Sequence, residues 1–302
     1  MGEWFVSIAG TETGARLALA LALFSALAHA VFGAINKGGI DPFLNRGAIN
    51  LWYGAIALPF AVLTLPFPTP GLWVWIGISF VVHIVYEYLQ ASSFEKGDFT
   101  LVYPISRGTG PLVALVLAAL FFDEQFSGMQ WGGGLLLSTA IMGLAVANIH
   151  SAQRAGAAPG ALGPAIRAAV ATGVMLAAYT AVDAYGIRQA ENPFTFLAWF
   201  FVTGAFGFPF IALARWRRLT VKPPLRPLVL RGFVGAVVAL MSFSSVMLAT
   251  RIDSVGQTAA LRETSIVFAT AIGVLIFRER IDAPRLALIA IIACGAVLVE
   301  LG

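Results

Sequence analysis

Two arginines stand inside stretches of sequence that are long and apolar enough to cross a membrane. Arg107 and Arg262 are 155 residues apart, and the segments that hold them resemble each other. A charge at the middle of a bilayer costs about 3 kcal/mol or more, so an intramembrane arginine persists only where it faces a protein interior or a wet cavity. Two such arginines in matching segments predict a polar pathway through the membrane.

The resemblance between these segments extends to other residues at the same offset. Besides the two arginines, an offset of 155 pairs Asp98 with Asp253, Phe122 with Phe277, and Glu124 with Glu279. Each Phe-x-Glu sequence stands just after a long apolar run. Because four matches in one register are hard to obtain by chance, we predict two copies of one unit, residues 1–150 and residues 151–302.

The composition indicates an integral membrane protein. Of the 302 residues, 59% are hydrophobic and 11% are charged, against roughly 25% charged in an average soluble domain. The mean hydropathy is +0.86. A helix needs about 20 apolar residues to span a bilayer, so the chain accommodates ten helices with short connections. The predicted helices cover residues 15–36, 43–65, 71–93, 98–121, 129–149, 165–188, 193–214, 227–250, 254–277 and 284–301.

The basic residues follow the loops, which argues against nucleic acid as a partner despite the net charge of +4. Assigning the loops alternately to two faces places fourteen Lys and Arg residues on one face, Arg46 among them, and three on the other. Cytoplasmic loops carry the excess of basic residues. We therefore expect a cytoplasmic connection between the seventh and eighth helices, both termini outside, and a location in the cytoplasmic (inner) membrane.

A unit of five helices has an odd number of spans, so the second copy enters the membrane from the opposite side. The predicted fold is all-α, with ten transmembrane helices arranged as two inverted five-helix repeats. In transporters of this design the substrate is held near the bilayer midplane where the repeats meet, and one repeat rocks against the other.

Three segments carry a resemblance to a known family. They are Gly97 to Pro104, Leu120 to Glu124, and Phe277 to Arg280. In these segments the chain resembles the drug/metabolite transporter superfamily, specifically its EamA-type members with ten helices. The first copy departs from the family's usual Gly-Glu-Arg turn, since Gln125 follows Glu124. The resemblance implies secondary transport of a small molecule, with export favoured over import.

Ionisable residues at mid-membrane depth are the candidates for the site. From the rise of 1.5 Å per residue, Arg107 and Arg262 lie about 12 to 13 Å from opposite faces of a core about 30 Å thick. A helical hairpin then places Glu87 beside Arg107 as its expected partner. His83 shares the face of Glu87 one turn deeper, and His29 on the first helix reaches a similar depth.

The second half supplies Asp183 and Glu263 as further counter-charges. We predict a proton relay drawn from the acids and His83, listed as Glu87, His83, Asp183 and Glu263. Tyr103 and Tyr86 each lie one turn from an ionisable residue and are predicted to line the cavity, together with Trp52 and His29. No metal-ligand spacing is present, so neither a metal nor a cofactor is expected.

Each of these residues has a structural alternative. The arginines could contact substrate and hold gates, or they could form buried ion pairs that lock helices together. The two histidines could be satisfied core residues. The breakers around Arg107, which are Pro104, Gly108, Gly110 and Pro111, predict either a packing kink or an interrupted helix at a binding site.

Two classes of function fit these features. The favoured one is a monomeric secondary transporter of a small polar metabolite, anionic or zwitterionic, driven by an ion or substrate gradient because no ATP site is evident; protons are the candidate coupling ion. The alternative is a membrane enzyme or lipid-handling protein that uses Glu87, His83 and Arg107 on a lipid headgroup. The repeat and the lack of a nucleophile or metal motif favour a transporter that is not an enzyme.

Overall fold

The structure, a computed structural model, consists of helices joined by short connections. It describes residues 2–36, 40–97, 99–108, 110–154, 162–276, 278 and 281–302, and in this part of the chain there is no strand. The described helices are α1 (Gly2–Ser7), α2 (Glu12–Asn36), α3 (Pro42–Leu63), α4 (Pro70–Lys96), α5 (Phe99–Gly108), α6 (Gly110–Phe121), α7 (Gly128–Arg154), α8 (Gly163–Gln189), α9 (Pro193–Gly204), α10 (Phe208–Arg218), α11 (Leu225–Ile252), α12 (Val255–Arg262), α13 (Ser265–Leu275) and α14 (Ala283–Leu301). Asp98, Phe277, Glu279 and Arg280, which entered the sequence comparison, lie outside the described residues.

Within those ranges, ten segments are long and apolar enough to cross a membrane. Seven are single helices, and three are pairs of shorter helices: α5 with α6, α9 with α10, and α12 with α13. The all-helical class and the ten predicted spans are confirmed. The break between α9 and α10, at residues 205–207, was not predicted.

Side-chain caps define where several spans begin. Asp41 accepts hydrogen bonds from the backbone N–H groups of Phe43 and Leu44, at 2.9 and 3.2 Å. Thr69 caps α4 in the same way, and Asp282 caps α14. Proline then follows in the first turn of each helix, where its missing N–H costs nothing. These caps satisfy N–H groups that would otherwise be free near the bilayer.

The bounds of the helices repeat with the offset of 155 residues. The exact matches are Pro70 with Leu225, Gly110 with Ser265, and Gly128 with Ala283 as first residues, and Leu63 with Arg218 as last residues. Asp123 and Arg278, also 155 apart, are the described non-glycine residues with positive φ, and both have φ of 54°. The same turn therefore follows the same half-helix in each half. The inverted orientation of the two halves stays a prediction.

Helix packing follows the same twofold pattern. Helices at equivalent positions pack on each other, α7 on α14 and α3 on both α9 and α10, while within the equivalent fourth and ninth spans α6 packs on α12. The offset of 155 residues relates α2 to α8 and α4 to α11. Accordingly, α2 packs on α11 and α8 packs on α4, and both contacts are extensive. The halves are thus interleaved, and the broken spans, the fourth and the ninth, lie against each other.

The contact between α7 and α14 is a backbone contact. A Cβ atom built on Gly133 would lie 2.8 Å from the carbonyl oxygen of Gly295, and one built on Gly295 would lie 2.9 Å from the backbone nitrogen of Leu137. Small residues at helix interfaces in membranes allow this approach. A side chain at either glycine would push the helices apart.

We expect Gly133→Leu to destabilise the protein, while Gly132→Leu serves as the matched control. A Cβ atom on Gly132 would meet nothing within 4 Å, so both variants add the same side chain but only one enters the contact. Overpacking of this kind costs roughly 1 to 3 kcal/mol. Thermal unfolding in detergent measures it, and equal transition temperatures for the two variants would contradict the described packing.

Candidate functional site

The fourth and ninth spans break directly after their arginines. Arg107 is the next-to-last residue of α5, and Arg262 is the last residue of α12. For the fourth span the sequence left two alternatives, a packing kink or an interrupted helix, and no break was predicted in the ninth span, which has no proline. In the ninth span the Thr264 hydroxyl donates to the carbonyl oxygen of Leu261 at 2.6 Å, and the N–H of Glu263 turns back to Ala260 at 3.1 Å. Local side-chain bonding of this kind replaces the helical pattern.

Arg107 lies in a buried cluster that joins three helices. Its Nη1 donates to Oε1 of Glu263 at 2.9 Å, and its Nη2 contacts Nε2 of His29 on α2. The guanidinium lies 5.4 Å from the centre of the Tyr103 ring. Arg107 and Glu263 are 2% and 1% exposed. The ion pair therefore links the two broken spans across the centre of the protein.

Glu87 does not pair with Arg107, and that prediction was wrong. Its Oε1 lies 3.1 Å from Nη2 of Arg46, and its Oε2 accepts from Nδ2 of Asn50 at 2.7 Å. Arg46 had been assigned to a loop, but it is buried in the second turn of α3. Arg46 and Asn50 are four residues apart and share a helix face, a spacing that could have identified them.

His83 bonds across to the second half of the chain. Its Nε2 lies 2.7 Å from Oδ2 of Asp183 on α8, while Ser79, one turn earlier on α4, donates to the other oxygen of Asp183. The rings of Tyr179 and Phe200 pack against the imidazole at centroid distances of 4.4 and 4.8 Å. Both oxygens of this buried carboxylate are therefore satisfied.

Arg262 is held on one side only. Its Nη1 donates to the hydroxyl of Tyr179 at 3.1 Å, and the guanidinium lies 4.9 Å from the centre of the Phe243 ring. Nε and Nη2 have no hydrogen-bond partner, although Arg262 is 2% exposed. Arg262 and Asp183 line one cleft between α8 and α11, with Phe243 and Met247 among its walls.

The predicted aromatic residues lie in three separate places. The Tyr103 hydroxyl lies 3.2 Å from Oγ of Ser265, beside the Arg107 cluster. The Tyr86 ring packs on Tyr179 at 4.7 Å. Trp52 lies apart from both, half-buried, and its Nε1 donates to the carbonyl oxygen of Val229 on α11.

Glu124 caps the N-terminus of α12, a role that the sequence analysis did not predict. Its Oε2 accepts from the Ser254 hydroxyl at 2.7 Å and from the N–H of Gly256 at 3.1 Å, and its Oε1 accepts from the N–H of Val255 at 2.8 Å. A carboxylate at a helix N-terminus satisfies free N–H groups and complements the helix dipole. Glu124, from the first half, thus anchors the half-helix that carries Arg262.

No three His, Cys, Asp or Glu side chains come together as a possible metal site in the ranges described above. The buried polar groups instead form ion pairs and hydrogen bonds around two broken membrane helices. These contacts lie among the ten spans of the described residues.

Residues 163–301 match the EamA-like transporter family. The resemblance to the drug/metabolite transporter superfamily is confirmed by this match, and the chain is a multi-pass membrane protein. A crystal structure with 17% sequence identity superposes with a TM-score of 0.73, covering 96% of this chain and 98% of that chain. At this identity the likeness shows the fold alone. No curated protein sequence matches the EamA-like chain.

Removing the Glu124 carboxylate should loosen the half-helix α12. We expect Glu124→Ala to cost about 2 kcal/mol, as loss of a strong N-cap does, and to speed amide hydrogen exchange in residues 255–262. Gln125→Ala is the matched control, since Gln125 is the exposed neighbour. Hydrogen exchange followed by mass spectrometry compares the variants, and unchanged exchange in Glu124→Ala would refute the anchoring role.

Proposed function

We propose that this EamA-like chain is a secondary transporter of a small metabolite that carries a carboxylate or a similar anionic group. The observation that carries the proposal is that two buried nitrogens of Arg262, Nε and Nη2, have no hydrogen-bond partner. A buried donor without a partner costs about 1 to 3 kcal/mol, and Arg262 has two such nitrogens. Guanidinium donors that point the same way bind a carboxylate through two parallel hydrogen bonds.

The cleft beside Arg262 narrows the substrate class. It contains one cation, Arg262, and one acid, Asp183, between apolar and aromatic walls such as Phe243 and Val246. Because Ser79 and His83 already hold both oxygens of Asp183, Arg262 is the charge left for a ligand, which fits an anion or a zwitterion bound through its carboxylate. The apolar walls favour an amphipathic body, such as that of an amino acid or organic acid.

Movement of the substrate would follow from the broken spans. We propose that the units 1–150 and 151–302 rock against each other, inverted in the membrane, around the contact between α5, α6 and α12. The loop charges support a cytoplasmic connection after α10 and a place in the cytoplasmic membrane. The sequence resemblance favours export, and we propose that the transporter is a monomer.

The structure offers no support for the enzyme or lipid-headgroup alternative. That reading needed Glu87, His83 and Arg107 to act on one group. Each has a different partner instead: Arg46, Asp183 and Glu263, respectively. Binding and translocation account for these separate contacts better than a reaction at a shared centre.

Ligand-induced stabilisation tests the proposed function. A panel of amino acids, organic acids, phosphonates and nucleobase-like compounds is screened by thermal shift in detergent, because a ligand at 100 times its Kd stabilises the native state by about 2.7 kcal/mol. We expect carboxylates to raise the transition temperature of the wild type. Arg262→Gln should abolish the shift, and Arg262→Lys should restore little of it, since an ammonium lacks the guanidinium fork.

The control variant is Arg16→Gln, which removes an exposed cation paired only with Glu12. It should bind carboxylates as the wild type does. Proteoliposome exchange of the ligands found in the panel then tests transport itself. Wild-type binding and exchange by Arg262→Gln would refute the assignment of Arg262 as the anion-binding group.

A further inference from the structure

We propose that Glu263 is the group whose protonation is linked to binding of the anionic substrate, so that proton and substrate bind together. This inference rests on the proposed function, and it names the acid that would couple transport to a proton.

Glu263 is the one buried carboxylate in the described residues that keeps an oxygen without a partner. Both oxygens of Glu87 are engaged, by Arg46 and Asn50. Both oxygens of Asp183 are engaged, by Ser79 and His83. Glu263 uses Oε1 for Arg107, but its Oε2 has no hydrogen-bond partner. That free oxygen is where a proton can be added without first breaking a hydrogen bond.

The ionisable groups around Glu263 come from several helices. Arg107 and Tyr103 face it from α5, His29 reaches the same guanidinium from α2, Arg262 precedes it on α12, and Tyr179 on α8 holds Arg262. Two cations thus surround one carboxylate. On α6, a Cβ atom added to Gly110 would lie 3.5 Å from Oε1 of Glu263.

This charge balance makes the two binding events cooperative. With Glu263 ionised, one carboxylate offsets part of the charge of the two arginines. Protonation leaves both cations uncompensated in a buried site, which is unfavourable unless another anion arrives. A substrate carboxylate supplies that anion, so each ligand raises the affinity for the other by the same factor.

The position of Glu263 connects this exchange to movement. It lies between α12 and α13, and its partner Arg107 lies at the end of α5. The ion pair therefore joins the two breaks. A neutral Glu263 leaves Arg107 free to follow the substrate, and release of the proton restores the bond between the spans.

The test uses benzoate as a charged probe and benzamide as its neutral counterpart. Benzoate stays ionised from about pH 5.5 to about pH 8, since carboxylic acids ordinarily titrate near pH 4. We expect the Kd of wild-type protein for benzoate to fall as the pH is lowered, by up to about tenfold per pH unit, the limit for one linked proton. Benzamide should show no such dependence.

Glu263→Gln, which mimics the protonated carboxyl, should bind benzoate with an affinity that does not change over this range. Glu300→Gln, which removes a partly buried acid of α14, should keep the wild-type pH dependence. If Glu263→Gln fails to fold, the double variant Arg107→Gln with Glu263→Gln removes both charges and should also lack the dependence. A pH-dependent Kd in a folded Glu263 variant would overturn the proposal.

Infrared difference spectroscopy gives a second readout that needs no ligand. The carbonyl band of protonated carboxylic acids should grow in both proteins as the pH is lowered, and the wild type should show one component of that band that Glu263→Gln lacks. Failure of the wild type to bind any carboxylate would refute the proposed function and leave the infrared titration as the test of Glu263. The same components in both proteins would refute the role of Glu263.

Discussion

The ion pair between Arg107 and Glu263 is the contact on which the centre of this structure depends. A charge buried in a membrane protein needs an opposite charge at hydrogen-bonding distance, because low dielectric makes an unpaired one very costly. The two residues belong to different halves of the chain, and each lies at a break in a membrane helix. The ion pair therefore fixes the packing of the two broken spans against each other. The breaks are where the backbone can bend if that packing changes.

The other buried charges are arranged around this pair. Arg46 with Glu87 ties α3 to α4, and His83 with Asp183 ties α4 to α8. Both oxygens of each carboxylate in these two contacts have a partner, so both contacts are structural links between helices. Arg262 differs, because it keeps two free donors, and Glu124 anchors its helix from the opposite half. The polar groups thus divide into those that hold helices together and those that remain available to a ligand.

Much of the fold and part of the candidate site could be predicted from the sequence, and there is a physical reason why the other features could not. Hydropathy gives the ten spans because a bilayer sets their length, and the offset of 155 residues recurs in the helix bounds and in the turns at Asp123 and Arg278. Depth along each helix correctly selected Arg107, Glu87, His83 and Asp183 as buried. It could not give their partners, since depth says nothing about helix rotation or about which helices are neighbours.

Two further features depend on tertiary contacts. Arg46 lies near a helix end, where hydropathy alone does not distinguish a loop charge from a buried one, and only its spacing from Asn50 indicates a shared helix face. Glu124 bonds to residues 254–256, far along the chain, so its role is invisible in any local pattern. The break after Gly204 is bordered by Gly207 and by Pro209 in the first turn of α10, residues that the sequence analysis did not use.

A double-mutant cycle on Arg107 and Glu263 tests the central ion pair most directly. Thermal and denaturant unfolding of Arg107→Gln, Glu263→Gln and the double variant would be compared with the wild type in one detergent. We expect the losses of unfolding free energy in the two single variants to add up to more than the loss in the double variant. The difference, which is the coupling free energy, should be about 2 kcal/mol or more. Additivity of the two single changes within about 0.5 kcal/mol would contradict it.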